Sequence, residues 1–126
     1  AFKYLNLKFS FEAELEPKKL LEILNKMPNF FVTYDTGNIT SCGFDHKEYV
    51  SLLSKHVDNV HLKDRTYDAK TVAPGTGDTD FKLIFQLLNE IGYNGPYTMQ
   101  TAREAEGKEY ETIMRHKEIF EGVFNE

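Results

Sequence analysis

The chain alternates strand-like and helix-like segments four times, and this order limits its possible folds more than any other feature. Strand patterns cover residues 4–12, 30–34, 57–62 and 97–101, and a helix-like segment follows each of them. Strands that are separated by a helix run parallel, because a crossover of that length returns the chain to the same end of the sheet. The order therefore predicts an α/β protein with a parallel sheet. No linker interrupts residues 1–126, so we expect a single domain.

Helical periodicity predicts the segments between the strands. Helices are expected over residues 17–27, from about 45, from 80 to 92 and over 108–122. Asp45 and Asp80 precede two of these patterns and belong to the residue types that cap helix N-termini. Gly92 is expected to end the third helix. His116 is expected on the polar face of the last helix.

The first strand pattern distinguishes a barrel from an open sheet. Apolar residues fill one of its faces and polar residues the other: Leu5, Leu7, Phe9 and Phe11 against Lys8, Ser10 and Glu12. Strands of an open doubly wound sheet are covered on both faces and read as continuous apolar runs, whereas a barrel strand with helices outside can have a polar inner face. A (β/α)8 barrel takes about 250 residues. Four β-α units in 126 residues therefore predict half of a barrel.

A polar residue stands at the C-terminal end of each predicted strand: Glu12, Asp35, His61 and Gln100. In a parallel barrel these ends meet on one rim, where active sites are built from several strands. Carboxylate, imidazole and amide ligands suit Mn²⁺, Co²⁺, Zn²⁺ or Mg²⁺. Taken singly, each residue also has an ordinary interpretation, such as a turn residue for Asp35 or a hydrogen-bonded strand end for His61. Their occurrence at four successive strand ends favours a divalent metal site.

Composition argues against several classes of partner. The formal charge of −5 disfavours nucleic acid, because phosphate binding requires a basic surface. No apolar run approaches the roughly 18 residues of a membrane span, so we expect no membrane partner. Cys42 is the single cysteine, which fits a reducing compartment and predicts a cytoplasmic protein. The chain starts at Ala1 without a methionine, which favours a fragment whose upstream part is missing.

Four stretches carry a resemblance to a known family: YDTGN, VHLKD, PGTGDTDF and YNGPYTMQ. With them the chain resembles the xylose isomerase-like TIM barrel superfamily, which holds sugar and sugar-phosphate isomerases and epimerases together with AP endonuclease family 2. The resemblance covers nearly the whole chain. It implies that residues 1–126 are the C-terminal half of a (β/α)8 barrel, strands five to eight.

The resemblance implies a proton transfer that depends on a divalent metal. The ion would be held by Glu12, Asp35 and His61, and by the strand-eight position that Gln100 occupies here. It would stabilise an enediolate, while metal-bound glutamates act as base and acid on the two faces of the carbon. Glu12 is therefore the predicted catalytic residue. Gln100 stands where the family usually has Glu, and its amide can ligate a metal but cannot take a proton at neutral pH.

Substrate contacts in this family come from the loop after strand seven, which implies Lys63, Asp64 and Arg65 as substrate-binding residues. Arg65 has the donor geometry that pairs with a phosphate or a carboxylate. Arg103, in the QTAR stretch after the last strand, is either a clamp for an anionic substrate group or a surface arginine.

The predicted function is that of a metal-dependent isomerase or epimerase acting on a sugar or sugar phosphate, in the complete protein. The alternative is a non-catalytic or truncated half-barrel, in which the Gln100 position has lost the second base. A half-barrel exposes an apolar flank and two strand edges, so it would form a homodimer or pair with a missing N-terminal half-barrel. A DNA repair nuclease is disfavoured, since the strand-seven motif has one His and the chain is acidic.

Overall fold

A parallel sheet of four strands forms the centre of the protein. The computed structural model describes residues 6–126, and in it the four strands are neighbours in chain order, each parallel to the next. Its elements are β1 (Phe9–Phe11), α1 (Pro17–Leu24), β2 (Phe30–Asp35), α2 (Thr36–Ser41), α3 (His46–Leu53), β3 (Val57–Leu62), β4 (Asp64–Arg65), β5 (Thr71–Val72), α4 (Phe81–Glu90), β6 (Tyr97–Met99) and α5 (Glu109–Phe124).

The longer helices form a single layer in the same order. Helix α1 packs on α3, α3 packs on α4, and α4 packs on α5. In a barrel, both the strands and the helices are neighbours in chain order, and all the helices lie on one face of the sheet. A doubly wound sheet instead divides its helices between two faces. The structure therefore confirms the predicted α/β half-barrel. Within residues 6–126, none of the helices combines the length and the apolar character that crossing a bilayer requires.

The hydrophobic core lies between the sheet and this layer of helices. Val32 and Tyr34 of β2 and Val60 of β3 are fully buried in it. The helices contribute Leu20, Leu24, Leu53, Ile84 and Leu88. Each fully buried aliphatic side chain contributes about 1.5–3 kcal/mol, so this cluster is the main source of stability.

The opposite face of the sheet is polar, as the barrel prediction requires. Ser10 is hydrogen-bonded to Thr33 of the next strand at 2.6 Å and donates to Asp58 at 2.7 Å. Thr98 of β6 donates to Asn59 at 3.3 Å. Because side chains alternate across a strand, Ser10, Thr33 and Asn59 lie on the face that carries the strand-end residues Glu12, Asp35 and His61. The polar face leads directly to the candidate site.

Helix caps confirm two of the predicted helix starts. The carboxylate of Asp45 accepts from the backbone N–H of Glu48 at 3.1 Å, and that of Asp80 accepts from Leu83 at 3.0 Å. Gly92 follows α4 with φ of +72°, the left-handed conformation that ends many helices.

Several local predictions were wrong. Strand β1 covers residues 9–11 rather than 4–12; residues 4–5 lie outside the described part, and residues 6–8 and 12 are not strand. Its partner β2 begins at Phe30, which pairs with Phe9, so residues 6–8 have no partner in this ladder. Helix α2 and the β4–β5 hairpin were not predicted. His116 is fully buried rather than exposed on a polar face, and its Nδ1 is hydrogen-bonded to Thr101 at 2.8 Å.

Candidate metal centre

Three of the four predicted strand-end residues converge at one point. Glu12 follows β1, Asp35 ends β2, and His61 lies near the end of β3. Asp35 and His61 are direct partners in the parallel ladder, which places their side chains side by side. One ligating atom from each of the three residues lies within 4.8 Å of the other two. The C-terminal edge of the sheet therefore gathers two carboxylates and one imidazole.

The spacing of these atoms is close to the spacing that a divalent ion requires. Ligand atoms held at about 2.0–2.2 Å from one ion lie within about 4.4 Å of each other. Nδ1 of His61 lies 3.2 Å from Oε2 of Glu12. Among the described residues, Nδ1 of His61 and Oδ2 of Asp35 are buried polar atoms without a hydrogen bond of good geometry. Oδ2 of Asp35 has the ammonium of Lys63 as an ion-pair neighbour at 3.0 Å, and neither atom makes a full hydrogen bond, so both can accept a further ligand.

The surroundings of Glu12 raise the pKa of its carboxyl in the metal-free site. Burial raises the pKa of this carboxyl above its ordinary value, and the neighbouring Asp35 raises it further, while the charges of His61 and Lys63 lower it. A carboxylate with a raised pKa binds a proton more readily. A bound cation would oppose this shift, so the catalytic role of Glu12 stays a prediction.

The segment Asp35-Thr36-Gly37-Asn38 joins β2 to α2. It hydrogen-bonds to and packs against Lys63, the residue after β3. The hydroxyl of Thr36 donates to the backbone oxygen of Lys63 at 2.7 Å and accepts from its backbone N–H at 3.0 Å. A Cβ on Gly37 would lie 2.8 Å from Cγ of Lys63, so only glycine allows Lys63 to approach. This packing fixes Lys63 beside the candidate metal ligands.

Lys63 lies inside the site as a buried cation. It is 6% exposed, and its Nζ lies 3.0 Å from Oδ2 of Asp35. The same ammonium donates to Oδ1 of Asn38 at 3.3 Å. Asn38 in turn donates through Nδ2 to Oε1 of Glu12 at 3.1 Å. Asn38 was missed by sequence reasoning, although its place three residues after Asp35, in a cap-like segment, was the available signal.

Asp64 anchors the loop that precedes α4. Its carboxylate is fully buried and accepts from the backbone N–H groups of Gly75 at 2.8 Å, Gly77 at 3.0 Å and Thr79 at 3.2 Å. These bonds hold the glycine-rich PGTGDT segment over the end of β4. The direct substrate contact expected of Asp64 stays a prediction, and its visible contacts are with this loop.

Arg65 lies at the edge of the same site. Its guanidinium donates to the hydroxyl of Ser41 at 3.3 Å and lies 3.5 Å from the carboxylate of Glu14. Its Nε is buried without a partner among the described residues. The side chain therefore faces the β1–α1 loop, and its contact with a substrate stays a prediction.

Gln100 and Arg103 lie on the loop after β6. The backbone N–H of Gln100 donates to Leu62 at 3.0 Å, which continues the β3–β6 ladder and places Gln100 at the same end of the sheet as His61. Both side chains are exposed and line a cavity of about 570 Å³. Neither the ligand role of Gln100 nor the anion-binding role of Arg103 is tested by these contacts, and both stay predictions.

The fold agrees with a family comparison. The family model for the xylose isomerase-like TIM barrel matches residues 6–118. The chain belongs to this family. Inosose dehydratase of Geobacillus thermodenitrificans (strain NG80-2) is 27% identical over 112 residues, which cover 72% of this chain and 33% of the relative. L-ribulose-5-phosphate 3-epimerase UlaE of Salmonella paratyphi A is 34% identical over 74 residues, which cover 58% of this chain and 26% of the relative.

Solved structures share the fold. A xylose isomerase domain protein from Planctomyces limnophilus superposes with a TM-score of 0.74 at 23% identity, over 92% of this chain and 45% of that one. The IOLI protein, solved with a bound zinc atom, superposes with a TM-score of 0.70 at 20% identity, over 92% of this chain and 44% of that one. The chain thus spans under half of these structures and about a third or less of the curated relatives above.

Proposed function

We propose that this half-barrel belongs to a metal-dependent isomerase or epimerase that acts on a sugar or sugar phosphate. The observation that carries the proposal is the convergence of Glu12, Asp35 and His61 at the C-terminal edge of the sheet. Family membership supports it, as do a relative named as a sugar-phosphate epimerase and a neighbour in fold with bound zinc.

Different residues of the chain have different roles in the proposed proton transfer. A divalent ion held by Glu12, Asp35 and His61 would polarise a carbonyl and a hydroxyl of the sugar. Glu12 then takes the proton from the carbon beside that carbonyl, because its side chain is 31% exposed and can reach a substrate, whereas that of Asp35 is 2% exposed. Lys63 holds a positive charge at the same place and stabilises negative charge on a substrate oxygen. Arg65 and Arg103 are the candidate partners of a phosphate group.

Gln100 favours a second candidate, a dehydratase. Its amide cannot accept a proton at neutral pH, so the described residues supply Glu12 as the base and no glutamate at the strand-eight position. One base suffices to remove water from a β-hydroxy ketone. Glu12 takes the proton from carbon, the C–H electron pair forms the double bond as the C–O bond breaks, and the leaving hydroxide takes that proton to become water. The relative named inosose dehydratase supports this candidate.

Deuterium incorporation in the complete protein tests both candidates. In D₂O with added Mn²⁺ or Co²⁺, the protein is expected to exchange the proton beside the carbonyl of a ketose or ketose phosphate. Glu12→Gln is expected to slow exchange by at least about 100-fold, whereas Glu16→Gln, which changes an exposed carboxylate of the same loop, leaves it unchanged. A deuterated stereoisomer or positional isomer indicates the isomerase, and an unsaturated ketone indicates the dehydratase. Exchange that survives both Glu12→Gln and metal removal by a chelator would contradict the proposal.

A further inference from the structure

We propose that Asn38 is a positioning residue that orients both carboxylate ligands of the candidate metal centre and limits each of them to one ligating oxygen. The inference rests on the proposed metal site. It concerns how Glu12 and Asp35 are presented to an ion, and therefore which ions the site prefers.

Asn38 contacts both carboxylates, through two different groups. Its backbone N–H donates to Oδ1 of Asp35 at 2.9 Å. Asp35 is also the N-cap residue of α2. The side-chain Nδ2 of Asn38 donates to Oε1 of Glu12 at 3.1 Å. The oxygens left over are Oδ2 of Asp35 and Oε2 of Glu12, and the second lies 3.2 Å from Nδ1 of His61. The hydrogen bonds of Asn38 thus leave one oxygen of each carboxylate available to a candidate ion.

The orientation of the Asn38 amide follows from its neighbours. A carboxylate can only accept a hydrogen bond and an ammonium can only donate one. Nδ2 must therefore face Glu12, and Oδ1 must face Nζ of Lys63, which lies 3.3 Å away. Lys63 also lies 3.0 Å from Oδ2 of Asp35, so the contacts run from Glu12 through Asn38 and Lys63 to Asp35. Asn38 is 7% exposed, so water does not compete strongly for these bonds.

This arrangement has a consequence for metal preference. Ca²⁺ accepts six to eight oxygen ligands and commonly takes a carboxylate through both oxygens, whereas Mg²⁺ and the smaller transition ions accept single oxygens at about 2.0–2.2 Å. With Oε1 of Glu12 and Oδ1 of Asp35 occupied, the site offers few oxygens to a large ion. The wild-type chain should therefore bind Co²⁺ far better than Ca²⁺.

Calorimetric titration of the chain with Co²⁺ and, separately, with Ca²⁺ tests the inference. Asn38→Ala removes the bond to Glu12 but keeps the backbone bond to Asp35. We expect Co²⁺ affinity to fall by about 10- to 100-fold, as for other residues that orient metal ligands, and the ratio of Co²⁺ to Ca²⁺ affinity to fall by a similar factor. The visible absorption of bound Co²⁺ should also change. Asn59→Ala is the matched control, because Asn59 lies on the same polar face and bonds Thr98 rather than a candidate ligand.

The outcomes separate this inference from the proposed function. If the wild type binds Co²⁺ through Glu12, Asp35 and His61 but Asn38→Ala leaves both affinities and the Co²⁺ spectrum unchanged, the inference is overturned and the metal site stands. If the wild type binds no Co²⁺, both are overturned. Asn38→Leu, which keeps the side-chain volume, replaces Asn38→Ala if circular dichroism shows that the alanine variant does not fold. An equal loss of Co²⁺ and Ca²⁺ affinity in a folded variant also counts against the inference.

Discussion

His46 is a histidine held in its neutral form behind the candidate site. It is the first residue of α3, its Nδ1 is hydrogen-bonded to the hydroxyl of Tyr34, and its Nε2 is hydrogen-bonded to the hydroxyl of Thr40 at 2.8 Å. Burial lowers the pKa of His46 from 6.5 to about 4, and the nearby Asp45 and Asp80 oppose this shift only in part. The residue links β2, α2 and α3 without carrying a charge.

Acid is expected to weaken the fold through His46. Below pH 6.5 the unfolded chain takes a proton at this histidine and the folded chain does not, so the free energy of unfolding falls until the pH reaches about 4. The loss from a shift of this size is on the order of 3 kcal/mol. Urea unfolding of the wild type and of His46→Gln at pH 7 and pH 4.5 measures it. The wild type should lose more stability than the variant between these values, and equal losses would contradict the assignment. The pKa of His116 is also lowered by burial, so both proteins keep that common contribution.

Residue types at strand ends could be predicted from the sequence, but their hydrogen-bond partners could not. Glu12, Asp35 and His61 were predicted because a parallel sheet brings its C-terminal strand ends together whatever the details of packing. The bonds of Asn38 and Asp64 depend on where a loop or a short helix returns in space. That placement arises from tertiary contacts between segments distant in the chain, such as Asp64 with Gly77.

Helix α2 is an element that its own sequence does not favour. Thr36-Gly37-Asn38-Ile39-Thr40-Ser41 contains glycine, asparagine and β-branched residues, all weak helix formers. The helix forms because Asp35 caps it and because Thr36 bonds the backbone of Lys63 in the neighbouring segment. This explains why propensity predicted a turn here, while the longer helices, which bury amphipathic faces, were predicted correctly.

Thr36→Val is expected to loosen this element. The substitution keeps the shape of the side chain but removes the hydroxyl, leaving a buried N–H and carbonyl of Lys63 without their partner. Stability should fall by about 1–3 kcal/mol, and Co²⁺ affinity should fall with it, because Lys63 and Asp35 lose their fixed positions. Denaturant unfolding and Co²⁺ titration measure the two effects. Thr98→Val, at an exposed threonine of β6, should change neither the stability nor the Co²⁺ affinity. A similar loss in both variants would contradict the role of the Thr36 hydroxyl in holding the backbone of Lys63.

The described molecule has two open sides. Strands β1 and β6 stand at the ends of the sheet order, and each pairs with one neighbour. Phe9 of β1 is 46% exposed, and a largely apolar cavity of about 360 Å³ opens between β6 and α5, lined by residues that include Met99, Phe120 and Phe124. Exposed edges and apolar flanks favour association with another chain. This is the pattern expected of half a barrel without its other half.

Association of the isolated chain is therefore expected. At micromolar concentration it should form a homodimer, which sedimentation velocity or light scattering would detect. Phe9→Lys should weaken association, because it places a charge beside the open edge of β1. Tyr110→Lys is the matched control at an aromatic residue of α5 that is 74% exposed. A monomer at all concentrations, or equal effects of the two substitutions, would exclude association through the edge of β1.

The central claim is that Glu12, Asp35 and His61 form one divalent metal centre. Titration of the chain with Co²⁺, followed by its visible absorption, tests this claim most directly. The wild type is predicted to bind one Co²⁺ per chain, and His61→Ala is predicted to lower the affinity by at least about 100-fold through the loss of a ligand. His56→Ala, which removes a histidine outside the three-residue group, should leave the titration unchanged. Co²⁺ binding of equal affinity in the wild type and in His61→Ala would contradict the claim.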